Sequence, residues 1–243
     1  DSWARDIAPN FLVDGDGGVA GAVFDFNAWG NKFRDYRDDA KVGGWMLREL
    51  ELPCYQVPMT LEGGSIHVDG SGTLITTESV ALNSDRNPTL DRRQIEERLA
   101  TYFGVRKVIW LPDGLIGDRA DGQVNKVARF VAPGRMMCAV ASVGTDPNRA
   151  NLSDNLDQLR RERDALGRPL ELLEIPLPSP LQEDDGHHLT RSYLDFYLGT
   201  GAVYVPGFDD AADDGAAKLI GAAFPDREVV QLDMADIARR GGA

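Results

Sequence analysis

The chain has 243 residues, with 39 acidic against 26 basic side chains and a formal net charge of −13. That length can bury a substantial core. The acidic excess argues against nucleic acid as a partner, because phosphate binding needs clustered Lys and Arg, and it would mildly attract a cationic small molecule. No run is apolar for long enough to cross a bilayer or has the layout of a secretory signal, so a soluble, cytoplasmic protein with no membrane partner is expected. The two cysteines, Cys54 and Cys138, lack metal-type spacing and read as two buried free thiols, which suits a reducing compartment. No motif for a metal or a cofactor is present, and a homo-oligomer stays open.

In chain order, Phe11 to Val13 and Val19 to Phe26 are β-prone runs around the turn Asp14-Gly15-Asp16-Gly17-Gly18. A helix is expected over Asp38 to Leu50, where Val42, Met46 and Leu50 recur every four residues, and an extended segment follows from Pro53 to Val57. The same order returns with strands Ser65 to Val68 and Thr73 to Thr77, a helix over Leu90 to Phe103 capped by Thr89 and stopped by Gly104, and a strand from Val105 to Leu111. A third unit has strands Val124 to Val131 and Met136 to Val140, a helix from a Ser153 cap through Leu156, Leu159 and Leu166 to Gly167, and a strand from Leu170 to Ile175. After a loop from Pro176 to Thr190, a fourth has Ser192 to Leu198, Ala202 to Val205, a helix near Asp213 to Phe224, and Glu228 to Leu232. Four units of strand, strand, helix, strand suggest pseudo-symmetric packing, with a mixed α/β sandwich as the alternative.

Each unit carries a polar cluster at or just before its first strand: Trp3-Ala4-Arg5-Asp6, Glu62-Gly63-Gly64, Asp121-Gly122-Gln123-Val124-Asn125, and Tyr193-Leu194-Asp195. Arranged around an axis, these positions converge, and Asp6 and Glu62 would make an acidic pocket walled by Trp3. Carboxylates take the N–H fork of a guanidinium in paired hydrogen bonds, and an indole stacks on its face. Taken singly, Arg5-Asp6 also reads as a local ion pair and Glu62 as a solvated turn residue. His67 reads as a packed strand histidine. His187 and His188 read as loop residues, and Arg160 to Arg163 as an outer helix face.

Several of these segments, in order, resemble a known family: Asp1-Ser2-Trp3-Ala4-Arg5-Asp6, Phe26-Asn27-Ala28-Trp29-Gly30, Glu62-Gly63-Gly64-Ser65-Ile66-His67, Arg86-Asn87-Pro88, Asp121-Gly122 with Val124, Ser192-Tyr193 with Phe196-Tyr197, and Phe224-Pro225-Asp226-Arg227. The sequence is similar to the agmatine deiminase and bacterial peptidylarginine deiminase family. The resemblance implies a pentein α/β-propeller of ββαβ blades around a pseudo-fivefold axis, here about four blades in one domain over 1–243, as a fragment without the first blade and the cysteine segment. It implies hydrolysis of a guanidino group: a cysteine thiolate attacks the guanidinium carbon, ammonia leaves, and water releases a ureido product while a histidine moves the protons. The partner would be a cationic guanidino molecule such as agmatine, or an arginine side chain.

By the same resemblance, Asp6 and Glu62 match guanidinium-binding carboxylates and Trp3 a substrate-side residue. Gln123 stands where the family has its catalytic histidine, and Asn125 where it has a second guanidinium-binding aspartate. Asp195 stands where it has an asparagine. An amide does not exchange protons near neutral pH, and losing general acid–base catalysis costs on the order of 10²- to 10⁴-fold. The expectation is a deficient amidine hydrolase or, alternatively, a non-catalytic relative that binds a guanidino ligand or a protein.

Overall fold

The computed structural model describes residues 3–184 and 186–241. Asp1 and Ser2, which open the first family-like motif, and Gly242 and Ala243 lie outside the described residues. No helix among the described residues is long and apolar enough to cross a membrane.

Four three-stranded sheets follow one another along the described chain, each with its strands in sequence order. The first holds β1 (Asn10–Val13), β2 (Val19–Asp25) and β3 (Cys54–Thr60), and the second β4 (Ile66–Val68), β5 (Thr73–Thr77) and β6 (Lys107–Leu111). The third holds β7 (Ala128–Ala132), β8 (Arg135–Val140) and β9 (Glu171–Pro176), and the fourth β10 (Tyr197–Gly199), β11 (Ala202–Gly207) and β12 (Glu228–Asp233). In each, the first two strands form an antiparallel hairpin. The middle strand then pairs in parallel with the third. A parallel partner requires a crossover, and the helices Val42–Glu49, Arg92–Phe103, Arg149–Arg161 and Asp213–Ala223 lie within the four crossovers.

The first two hairpin loops close by the same device. Asp14 Oδ1 accepts the backbone N–H groups of Asp16 and Gly18 at 2.9 and 2.7 Å, and Asp69 Oδ1 those of Ser71 and Thr73 at 2.7 and 2.8 Å. A short carboxylate at the start of the loop thus replaces the backbone acceptors that the ladder no longer provides. Packing joins the sheets through shared cores. One contains Phe24, Val57 and Met59 of the first unit with Leu74, Ile95 and Leu99 of the second. The other runs from Ile75 and Ile109 through Met136, Met137 and Leu159 to Val203 and Ile220. Ile95 and Leu99, one helical turn apart, are both fully buried, and burial of such a side chain contributes about 1.5–3 kcal/mol.

Several boundaries differ from the sequence expectation. The second helix is capped by Asp91, not Thr89: Asp91 and Gln94 exchange side-chain to backbone hydrogen bonds in a capping box, which satisfies two orphan donors where a threonine further out satisfies none. The third helix begins at Arg149, so Ser153 lies inside it, and it ends at Arg161. Asp164 ends it early by drawing the N–H groups of Leu166 and Arg168 into a turn of its own, and Leu166 is left exposed. Finally, the third and fourth units do not open directly on strands: Val124–Lys126 and Tyr193–Asp195 are single 3₁₀ turns, and β7 and β10 start after them.

Candidate functional site

Those turns belong to a pattern. A short helical turn precedes the first strand of every unit, over Ala4–Ile7, Gly63–Ser65, Val124–Lys126 and Tyr193–Asp195. At and beside these turns, polar side chains of the four units form two neighbouring hydrogen-bonded groups, one from the first three units and one joining the first, third and fourth. Asp6 Oδ1 accepts from Gly64 N at 3.0 Å and from Gln123 Nε2 at 3.2 Å. The same Gln123 amide reaches Glu62 Oε2 at 3.4 Å. Asn125 Nδ2 donates to Asp195 Oδ1 at 2.8 Å, and Arg5 Nε lies 3.3 Å from that oxygen. Arg5 therefore pairs with Asp195 and not with its neighbour Asp6, so the local ion-pair reading of Arg5-Asp6 is corrected.

Glu62 is fully buried, which corrects its reading as a solvated turn residue. Its Oε1 takes Arg86 Nε at 2.8 Å, and its Oε2 takes Ser65 Oγ at 2.9 Å. The Arg86 guanidinium, also buried, continues to Asp121 Oδ2 at 2.7 Å and the Ala120 carbonyl at 3.1 Å. Burial works against the charge on Arg86, but Glu62 and then Asp121 hold its pKa above the ordinary value. Gly64 is required here: a Cβ on it would stand 2.6 Å from Gln123 Oε1 and 2.8 Å from Asp6 Oδ1.

Asp6 has its carboxyl pKa raised to about 6 by burial first and by the Glu62 charge second, while donors from Trp29, Gly64 and Gln123 pull the other way. The indole that donates to Asp6 is that of Trp29, with Nε1 at 2.8 Å from Oδ2. The Trp3 carbonyl accepts the Asp6 backbone N–H at 2.9 Å. Trp29 is delivered by an uncommon backbone. Ala28, Trp29, Gly30 and Asn31 have φ of +56°, +56°, +84° and +63°, a left-handed turn that costs about 1–2 kcal/mol for each residue other than glycine. Asn27 and Asn31 hold it, through Gly30 N to Asn27 Oδ1 at 2.9 Å and through both amides to the Asp85 carbonyl.

Behind the third turn, Lys126 is buried and lies 3.0 Å from Asp118 Oδ1, also reaching the Gly241 carbonyl at 3.1 Å. Burial opposes both charges. Asp118 is nevertheless the main influence holding the Lys126 pKa up, and Lys126 with the backbone N–H groups holds that of Asp118 down. Asp118 Oδ2 also accepts the N–H groups of Gly122 and Gln123, at 3.0 Å each, so this ion pair fixes the loop that presents Gln123. His67 is a strand histidine whose Nδ1 accepts from Phe130 N at 3.3 Å. Burial, then Arg129 and Arg5, lower its pKa well below the ordinary value. Cys54 is exposed on β3, which corrects its reading as a buried thiol, and Cys138 is buried on β8, with its thiol facing the Leu173 carbonyl and its pKa pushed up to about 12 by burial.

Of the sequence candidates, the structure joins Asp6, Glu62 and Gln123 in one hydrogen-bonded group and Asn125 with Asp195 in another. Arg86, Trp29, Asp118 and Lys126 were not singled out for the site. Arg86 and Trp29 stand within the family-like segments, which was the available signal. For Asp118 the signal was weaker, a lone acid eight residues before a lysine. Chemically, the two groups hold three carboxylates and two side-chain carboxamides, of which Glu62 is already taken by Arg86 and Ser65; carboxylate and amide oxygens accept from a planar cation with several N–H donors.

Comparison with known proteins finds relatives over the whole chain. Residues 1–243 match the family described as Porphyromonas-type peptidyl-arginine deiminase. A putative agmatine deiminase of Legionella pneumophila is 37% identical over 243 residues, covering all of this chain and 70% of that protein. The agmatine deiminase of Stutzerimonas stutzeri is 38% identical over 264 residues, covering all of this chain and 72% of its own length. Among solved structures, the agmatine deiminase of Enterococcus faecalis superposes with a TM-score of 0.94 at 30% identity, over 99% of this chain and 72% of that one. The chain belongs to the Porphyromonas-type peptidyl-arginine deiminase family, the agmatine deiminase group of the pentein superfamily.

Proposed function

We propose that the four sheets are blades of a pentein ring whose axis carries a guanidino-binding pocket, and that this chain binds a guanidino cation such as agmatine without hydrolysing it. The affiliation supports an amidine hydrolase of the agmatine deiminase type as the parent activity, guanidino group plus water giving a ureido group and ammonia. The observation that carries the loss of chemistry is the Gln123 carboxamide lying between Asp6 and Glu62. A group at that place in an active hydrolase must take a proton from the attacking water and give one to the departing ammonia. A carboxamide donates two N–H bonds to fixed acceptors and exchanges neither proton on that timescale. Cys54 is exposed on β3 and the Cys138 thiol faces the Leu173 carbonyl.

A second reading, retained turnover, is favoured by one observation. Asp6, with a pKa near 6, exchanges protons close to neutrality and is hydrogen-bonded to the Gln123 amide. Calorimetric titration with agmatine beside an ammonia-release assay separates the readings. Binding without ammonia is expected. Turnover by the unmodified chain, abolished by Asp6→Asn, supports the second reading, and absence of agmatine binding overturns both.

A further inference from the structure

The Asn125–Asp195 pair is left incomplete by the fold around it. Asn125 is 3% exposed, and its Oδ1 has no hydrogen-bond donor among the described residues. The orientation of its amide is fixed by chemistry, because an ionised carboxylate only accepts, so Nδ2 must face Asp195 and Oδ1 must face elsewhere. The Asp195 side chain is 10% exposed, and both of its recorded polar contacts, to Asn125 Nδ2 and to Arg5 Nε, fall on Oδ1. A buried orphan amide oxygen and a carboxylate whose polar contacts to Asn125 and Arg5 both fall on Oδ1 thus belong to two residues joined by a hydrogen bond. A desolvated acceptor without a partner costs about 1–3 kcal/mol, which a ligand with several N–H groups would recover.

The chain itself already places a guanidinium against this carboxylate. Arg5, from another unit and with a side chain 34% exposed, lays its guanidinium against Asp195 and the Phe196 carbonyl. The two departures from the family pattern at this place are also opposite in sign: Asn125 where an aspartate stands, Asp195 where an asparagine stands. The structure joins those two positions by a 2.8 Å hydrogen bond. We infer that Asp195, bonded to Asn125, supplies the second carboxylate for a guanidino ligand, the charge having moved across the hydrogen bond with the net charge of the pair unchanged. This rests on the guanidino-binding reading above. It makes the substitution at Asn125 compensated for binding, while leaving Gln123 uncompensated for proton transfer.

The test is calorimetric titration of the chain with agmatine, compared with Asp195→Asn and with the exchanged pair Asn125→Asp/Asp195→Asn. Asp195→Asn is expected to weaken agmatine binding at least about thirtyfold, as follows from removing one partner of a desolvated charge contact. The exchanged pair is expected to restore affinity to within about threefold, because it returns the carboxylate to the other end of the same hydrogen bond. Where Asp195→Asn does not fold, the exchanged pair decides alone: binding near the unmodified level supports the inference and loss of binding overturns it. Binding that survives Asp195→Asn unchanged, or an exchanged pair no better than Asp195→Asn, overturns this inference and leaves the proposed function standing. Absence of agmatine binding by the unmodified chain overturns both.

Discussion

The two halves of the polar group differ in how fully they satisfy themselves. Around Glu62 every contact is closed: both carboxylate oxygens have donors, and the Arg86 guanidinium spends its N–H groups on Glu62, Asp121 and the Ala120 carbonyl. Around Asp195 the contacts are open, with an orphan oxygen on Asn125 and a cation, Arg5, that is one-third exposed. The buried cations behind the halves follow suit. Arg86 keeps its charge on two carboxylates, whereas Arg129 has carbonyls, of Leu194 and Phe196, and the Phe196 ring as partners. Burial, and then Arg5, lower the Arg129 pKa to about 9. A closed network holds a fold together, and an open one is free to recognise something else.

The strongest way to break that contrast is Arg86→Met, which strands Glu62 as a buried, unpaired charge. It should lower unfolding free energy by about 3–5 kcal/mol, measured by urea titration; a loss below about 1 kcal/mol would mean that the closed half does not support the fold. Gly64→Ala comes next, at about 1–3 kcal/mol, because its methyl group meets Gln123 and Asp6 inside contact distance. The same measurement checks it.

A pH series sharpens the comparison further. Asp6 has its folded pKa raised from 3.8 to about 6. Between those values the folded state binds more protons than the unfolded one, so the Asp6 contribution is fully present below about pH 4 and is lost as pH rises through about 6. Asp6→Asn should remove that loss, shifting relative stability toward the variant by about 1–2 kcal/mol from pH 4 to pH 7, once solvent screening is allowed for. A pH-independent difference between the two proteins would refute it. The smallest effect belongs to the open half. Asn125→Leu gives up one hydrogen bond but also removes an orphan acceptor, so thermal and urea unfolding should change by less than about 1 kcal/mol. A loss several times larger would show that this half is closed too.

How much of this could be read from the sequence depended on whether the determining contact was local. The ββαβ order was legible because alternating strands, the Asp-Gly turns and the Ile95–Leu99 spacing are all set within a dozen residues. The placement of Gln123 was not. It lies in a 3₁₀ loop fixed by a carboxylate five residues earlier, whose own charge is held by Lys126, and no periodicity marks an ion pair folded back under a turn. The same limit explains the third helix: Ser153 has the chemistry of a cap, but Asn148 is tied to Ile116 N by its side chain at 2.7 Å, and the helix starts directly after it. The convergence of Asp6, Glu62 and the third cluster was inferable from their matched positions in the repeat. That Glu62 would already be occupied by Arg86 was not, since the two are separated by a strand hairpin and a helical turn.

The left-handed turn at Ala28–Asn31 has an optical consequence. It presses the indole N–H of Trp29 onto Asp6 Oδ2, so a fluorophore of the chain is hydrogen-bonded to the carboxyl group with the displaced titration. Removing the negative charge from Asp6, by acid or by a neutral side chain, changes the electric field across that ring, and Trp29 emission should follow it with a midpoint near pH 6. A Trp29→Phe variant identifies the signal by its disappearance. The strained backbone thus makes the protonation state at the centre of the group readable by light, with no label added.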